Sequence, residues 1–286
     1  NYIAQAYFIR ALIHLDLSLV YGQTYTYSSD ASHLGTAVMT TIPDVKSKIA
    51  RSSASVTYKQ ILDDLQTSLD MFADDWTKGC FYASPAACKA LMARVYLYMG
   101  NYADAKKYAS EVISDYGLTL TPRADYVAMF CGRKEGQEAI FRLNGLSGGA
   151  KLRSMFDYTS PQMYPSGKLL DIFASDADAW TGSDVRSELL SYKSSGGDAI
   201  SGVCMKFIDT EDIDETQKRY DPFVLRLSEI YLIRAEAACH DGDTDTAVSD
   251  IAALEARARG VQTSDINVTF SSIDDLAGIV QRERIK

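Results

Sequence analysis

Apolar residues recur at three- and four-residue spacing near both ends of the chain, and the pattern breaks between them. The spacing predicts helices over about 2–21, 55–73, 84–99, 102–116, 223–241, 244–258 and 273–285. Ser84-Pro85 places a capping hydroxyl before a proline in the first helical turn, and Asn101 and Thr244 are positioned to cap the second helices of two hairpins. Between roughly 118 and 222 the pattern changes to short strands and loops. Glu138–Asn144 and Val203–Ile208 read as strands, with Gly, Ser, Asp and Tyr dominating between them. A second irregular stretch, Gly22–Arg51, contains Tyr25, Tyr27 and His33.

Two of the helical pairs share one template. Ala93-Arg-Val-Tyr-Leu-Tyr-Met-Gly100 continues to Ala105 as Ala235-Glu-Ala-Ala-Cys-His-Asp-Gly242 continues to Ala247. Small side chains let paired helices approach, and glycine ends the first helix in a conformation that costs other residues energy. The expected fold is therefore mostly α: tetratricopeptide-like helical hairpins carrying an inserted irregular loop-and-short-strand region. A scaffold over about 1–21, 55–116 and 223–286 would support irregular segments at about 22–54 and 117–222, all in one domain. Long non-repetitive excursions from a regular scaffold are where function usually resides.

Composition narrows the function classes. With 286 residues, 47% of them hydrophobic, the chain can bury a substantial core. A net charge of −9 with dispersed basic residues argues against nucleic acid as a partner. The acidic run Asp209–Glu215 reads as a solvated loop. No stretch matches the roughly 20 consecutive apolar residues expected of a membrane span. Both ends of the chain fall inside helical patterns without caps, so it reads as part of a longer polypeptide. The five cysteines show no CxxC spacing, the three histidines are scattered, and neither a metal nor a cofactor is expected. Cys88 and Cys239 fall in helical patterns and read as small packing residues.

Several motifs occur in an order that resembles the SusD/RagB family of outer-membrane nutrient-binding lipoproteins. They are Ala4-Gln-Ala-Tyr-Phe-Ile-Arg10-Ala11 leading to Tyr21-Gly22, Tyr58-Lys-Gln-Ile-Leu-Asp-Asp64-Leu65, Asp184-Val-Arg186 and Leu225-Arg226-Leu-Ser-Glu229-Ile-Tyr231-Leu-Ile-Arg234-Ala235-Glu236-Ala237. The family's signal peptide, lipidated cysteine and E-L-x-x-E-G-x-R continuation are not in this sequence. The resemblance implies a non-enzymatic, lipid-anchored protein at the outer-membrane surface that captures a glycan or other nutrient for a SusC-like TonB-dependent transporter. It assigns no ligand residue, so candidates follow from chemistry. Sugar rings offer an apolar face and a polar rim, which Tyr and Trp beside polar groups can meet. Tyr25, Tyr27, Tyr158, Tyr164 and Trp180 lie in irregular segments, with Gln162, Asp178 and Asp184 nearby in sequence. Tyr96, Tyr98, Tyr102 and Tyr108 sit at helical spacing and read as packing residues, and Trp76 reads as the cover of a helix end.

Three competing readings are set against these. A general tetratricopeptide adaptor would hold peptides in a concave helical face. Gly145-Leu-Ser147-Gly-Gly149 fits the hydrolase pattern G-x-S-x-G and would need His240 as base with an intervening carboxylate, but His240 belongs to a hairpin helix and the alternating strands and helices of an α/β-hydrolase are missing. Asp241-Gly-Asp243-Thr-Asp245 begins like a calcium loop, yet lacks glycine at the sixth position and glutamate at the twelfth. Helix capping accounts for it better.

Overall fold

The first helix, α1 (Tyr2–Tyr21), and the second, α2 (Ala54–Met71), lie against each other through side chains spaced by three and four residues. Ala4, Phe8, Ala11 and Leu15 meet Tyr58, Ile61 and Leu65 in a core closed to solvent. These coordinates are a computed structural model. It describes the chain apart from residues 74–75, 77–78, 132–135, 146–153, 157–159, 181, 194–198 and 208–220 and the side chains of 131, 177–179, 193 and 199. Two compact units result, Asn1–Tyr116 and Gly117–Lys286.

α1 is more apolar than its sequence pattern suggests. Its 20 residues, with a mean hydropathy of 1.4 over the best window, would pass for a membrane span by length and composition. Its buried stripe is spent on α2, however, and Arg10 sends a bidentate pair of hydrogen bonds of 2.7 and 2.6 Å to buried Asp64. Ile3, Ile13, Val20 and Tyr21 on its remaining surface are exposed.

Helices α3 (Pro85–Tyr98) and α4 (Tyr102–Asp115) complete the first unit as a hairpin. Ser84 and Asn101 cap them by accepting from the amides of Ala87 and Asp104. The shared template is realised in both units. Gly100 and Gly242 sit at φ 73° and 74°, the left-handed region that glycine enters without a side-chain penalty. Ala93, Ala105, Ala235 and Ala247 are all fully buried. The Tyr96 and Tyr108 rings stack at 5.6 Å with 1° between their planes, as expected for packing across the hairpin.

In the second unit the matched hairpin is α7 (Leu227–Asp241) and α8 (Thr244–Arg259), with α9 (Ile273–Ile285) packed on both. The cap of α8 is Asp243, one residue before the expected Thr244; it accepts from the amide of Thr246, and Thr244 opens the helix. The helix expected from 223 begins only at Leu227. Phe223–Arg226 is instead a strand, β4, paired antiparallel with β1 (Ala139–Arg142). Four residues cannot display a helical or strand period of their own, and the ladder partner lies 80-odd positions upstream.

The irregular middle is more helical than expected. It contains α5 (Arg123–Cys131) and α6 (Gly167–Ala179), and a short ribbon of β2 (Ser191–Lys193) with β3 (Ala199–Ser201). α5 buries Tyr126, Met129 and Phe130 against Val185 and Leu189. Residues 203–207, expected as strand, are not in a strand; Val203 and Met205 join that same cluster from a loop. Helices of two or three turns hold too few residues for periodicity to stand out from Gly, Ser and Asp. Among the described residues Cys80, Cys88, Cys204 and Cys239 form no disulfide. Burial pushes the Cys88 thiol up to about 12, consistent with an inert packing role.

Candidate functional site

The irregular segment of the first unit is held by its own backbone. Ala54 and Ser55 donate to the carbonyls of His33 and Ala31, and Ser52 pairs with Gly35 and Thr36. Arg51 ties the ends together, donating to the carbonyls of Gly35 at 2.6 Å, Leu34 at 3.0 Å and Tyr21 at 3.2 Å. Gly35 leaves no room for a side chain, because an added Cβ would lie 2.7 Å from Thr57 Oγ1. The stapled loop presents a single turn, Tyr25–Tyr27.

That turn makes an aromatic surface of mixed accessibility. The Tyr25 ring tilts onto buried Tyr58 at 4.9 Å, so it is largely a packing residue. Tyr27 stands 66% exposed, edge-on to the His33 ring at 5.3 Å. Ser28 Oγ lies 2.8 Å from His33 Nδ1 and holds that ring in place. Burial, helped by the nearby Tyr98 and Tyr25 hydroxyls, pushes Tyr58 up to about 12 and keeps it neutral. Tyr98, expected to be a packing residue, is 40% exposed.

Trp180 occupies a different setting in the second unit. It caps the C-terminus of α6 and forms one wall of a cavity of about 520 Å³, with Asp176, Asp265, Asn267, Thr269 and Arg282 among the other lining residues. This volume falls in the usual range for small-molecule sites. The indole N–H donates to the Asn267 carbonyl at 3.3 Å. Arg259 and Lys286 lie over the ring at 5.2 and 5.3 Å from its centroid, within reach of cation–π attraction. Trp180 is therefore both a wall and a packing residue.

Beneath the cavity runs a buried charge cluster. Arg186 donates to Asp184 at 2.6 Å, to Glu255 at 2.8 Å and to Glu283. Arg259 adds a 2.8 Å bond to Glu255, and Lys286 reaches Asp176, Glu255 and Glu283. Buried ions persist only when paired and hydrogen-bonded in this way. Burial, reinforced by the neighbouring Glu255 charge, pushes Glu283 up to about 7. Burial acts in the same direction on Glu255 but is outweighed by the hydrogen bond with Glu283 and the charges of Arg186 and Lys286, which hold it well below the usual range.

The expected site residues therefore divide. Tyr27 is accessible and Trp180 lines a cavity, whereas Tyr25 is half-buried against α2. Tyr164 is 67% exposed just before α6 and does not line the cavity. Tyr158, Ser147, the Asp178 side chain and the run Asp209–Glu215 lie outside the described residues. Asp184, expected to be a polar neighbour for a ligand, is committed to Arg186 and closed to solvent. Gln162 is exposed near Met155, to whose carbonyl its backbone N–H donates. Trp76 lies beyond the end of α2 against Phe72 and Tyr82, its indole donating to Ala83, so it covers the helix end as expected.

Sequence reasoning passed over Asp265, Asn267, Thr269 and Arg282. One signal was available: Asp-Ile-Asn-Val-Thr over 265–269 alternates polar and apolar residues, and Ile266 and Val268 are the buried ones.

A family model described as starch-binding, associating with the outer membrane, matches residues 1–97. A model of the SusD family matches residues 175–286. Among solved structures, a SusD superfamily protein from Bacteroides thetaiotaomicron VPI-5482 superposes with a TM-score of 0.80 at 24% identity, over 98% of this chain and 63% of that one. A SusD superfamily protein from Bacteroides vulgatus ATCC 8482 gives 0.77 at 26% identity, over 99% and 63%. A SusD-like carbohydrate binding protein from the same organism gives 0.77 at 22%, over 98% and 59%. The chain thus spans less than two thirds of the length of these relatives. No curated protein matches the sequence significantly.

Proposed function

Because the chain belongs to the SusD/RagB family, we propose that it is a non-catalytic glycan-binding protein of the outer-membrane surface, which captures oligosaccharide for a SusC-like TonB-dependent transporter. A lipid anchor would hold it there. The observation that carries the binding reading is the cavity walled by Trp180 and edged with hydroxyl, amide and carboxylate groups. The apolar face of a sugar can rest on an indole while its hydroxyls meet such groups. In the first unit, Tyr27 offers a second accessible ring. Tyr25, Tyr158 and Tyr164 remain candidates with less to support them.

The test is calorimetric titration of the full chain with neutral and acidic oligosaccharides, repeated for Tyr27→Ala and for Trp180→Phe and Trp180→Ala. Trp180→Ala should weaken binding by about 1–3 kcal/mol, the value of a lost stacking surface, with Trp180→Phe retaining most of it. Thermal unfolding separates this loss from the packing over Arg259 and Lys286. Absence of binding to any oligosaccharide would defeat the reading. Co-purification with a TonB-dependent transporter tests delivery, and its failure from intact outer membranes would leave capture without the proposed partner.

A further inference from the structure

The residues facing Trp180 are arranged to handle hydroxyl groups rather than ions. Residues 265–269 run past the cavity with Ile266 and Val268 turned into the core, leaving Asp265, Asn267 and Thr269 to line it. The Asn267 carbonyl fixes this segment to the indole, while its side chain remains exposed. The Asp265 carboxylate accepts from the Gln262 amide at 3.1 Å and is otherwise exposed. Across the cavity, Arg282 donates to Asp176 at 2.6 Å and to Ser175 at 3.1 Å.

Resting on the glycan-capture reading, we infer that this cavity is a subsite for a neutral sugar residue, packed against the Trp180 wall, hydrogen-bonded by Asp265, Asn267, Thr269 and Arg282, and selective against uronic-acid and sulfated sugars. A hydroxyl both donates and accepts, which suits a rim combining a carboxylate, an amide, a hydroxyl and the spare donors of a guanidinium. An anionic sugar would meet the opposite situation. The lining cations, Arg282 and Lys286, are already engaged by Asp176, and the lining carboxylates are Asp176, Asp265 and Glu283. The cavity therefore has no net positive charge in either protonation state of Glu283. An incoming carboxylate could reach only the spare donors of Arg282, whose charge Asp176 already balances, while facing the unbalanced Asp265 carboxylate, and like charges repel.

The experiment titrates the full chain with neutral malto-, xylo- and galacto-oligosaccharides and with oligogalacturonate. Wild type should bind a neutral series and not oligogalacturonate. Asn267→Ala and Thr269→Val should each weaken neutral binding roughly three- to tenfold, the value of a lost hydrogen bond, at unchanged melting temperature. Asp265→Asn should preserve neutral binding within a similar factor and admit oligogalacturonate. Neutral binding indifferent to all three substitutions would place the glycan elsewhere on the protein, overturning the subsite while leaving the capture reading intact. Tighter binding of oligogalacturonate than of neutral sugars by wild type would reverse the selectivity. Binding of no sugar at all would remove both readings together.

Discussion

Glu283→Gln probes the charge cluster through its one proton. Glu283 is 4% exposed, and burial beside Glu255 raises its carboxyl from an ordinary 4.5 to about 7. The folded state therefore holds a proton that the unfolded state releases between those values, so this residue lowers stability progressively as pH rises from about 4.5 to about 7. Each pH unit of such a shift corresponds to about 1.4 kcal/mol, so the effect is of the order of a few kcal/mol. Glu255 is shifted the other way and acts in a separate window. Its contribution is present above about 4.5 and is lost in more acidic solution. Glutamine reproduces the protonated carboxyl, since it can accept from Arg186 and donate to Glu255. Urea unfolding of both proteins at pH 5 and pH 8 checks the account. The variant should match wild type at pH 5 and exceed it by up to a few kcal/mol at pH 8. Parallel profiles would show that Glu283 ionises normally in the fold and that the cluster has been misread.

The other predictions concern scaffold and helix packing. Arg10→Met should leave buried Asp64 with only the Gln60 side-chain amide as donor and destabilise by about 2–4 kcal/mol, less than a fully buried pair because Arg10 is partly solvated; an unchanged urea midpoint would remove the pair from the stability account. Ala105→Leu and Ala247→Leu should overpack the two matched interfaces by about 1–3 kcal/mol each, and denaturation midpoints equal to wild type would dissolve the shared template. His14 accepts from the Met39 amide at 3.1 Å, and burial lowers its pKa. Its contribution should be intact above about 6.5 and decline as pH falls below that value, so His14→Gln should flatten this acid limb in thermal melts; an identical limb in both proteins would assign it to other groups.

The motifs that mark the family turn out to be the ion pairs that hold each unit together. Arg10 of the first helix motif grips Asp64 of the second. Arg226 reaches Glu138, and Arg234 pairs with Asp250 at 2.6 Å, burial of that carboxylate raising its pKa despite the partner. Arg186 of Asp184-Val-Arg186 gathers three carboxylates. None of these side chains is available to a ligand as a free charge. The motifs can therefore identify the scaffold while leaving the proposed ligand chemistry to Tyr27, Trp180 and the 265–269 rim.

The long helices, the Ser84 and Asn101 caps and the two hairpins were legible in the sequence, because each depends on residues within one or two turns of one another. Gly100 with Ala93 and Ala105, and Gly242 with Ala235 and Ala247, encode local geometry wherever they occur. The short strand Phe223–Arg226 was not legible, since its conformation depends on a ladder with Ala139–Arg142. The roles of Trp180 and Asp184 were divided in the same way. Sequence could mark both as polar-loop neighbours, but only folding brings Arg259 and Lys286 over the indole and encloses Asp184 with Arg186. Local propensity acts through adjacent residues, whereas burial and ion pairing are properties of groups the fold brings together, and the enclosure of the cavity at Trp180 is of the second kind.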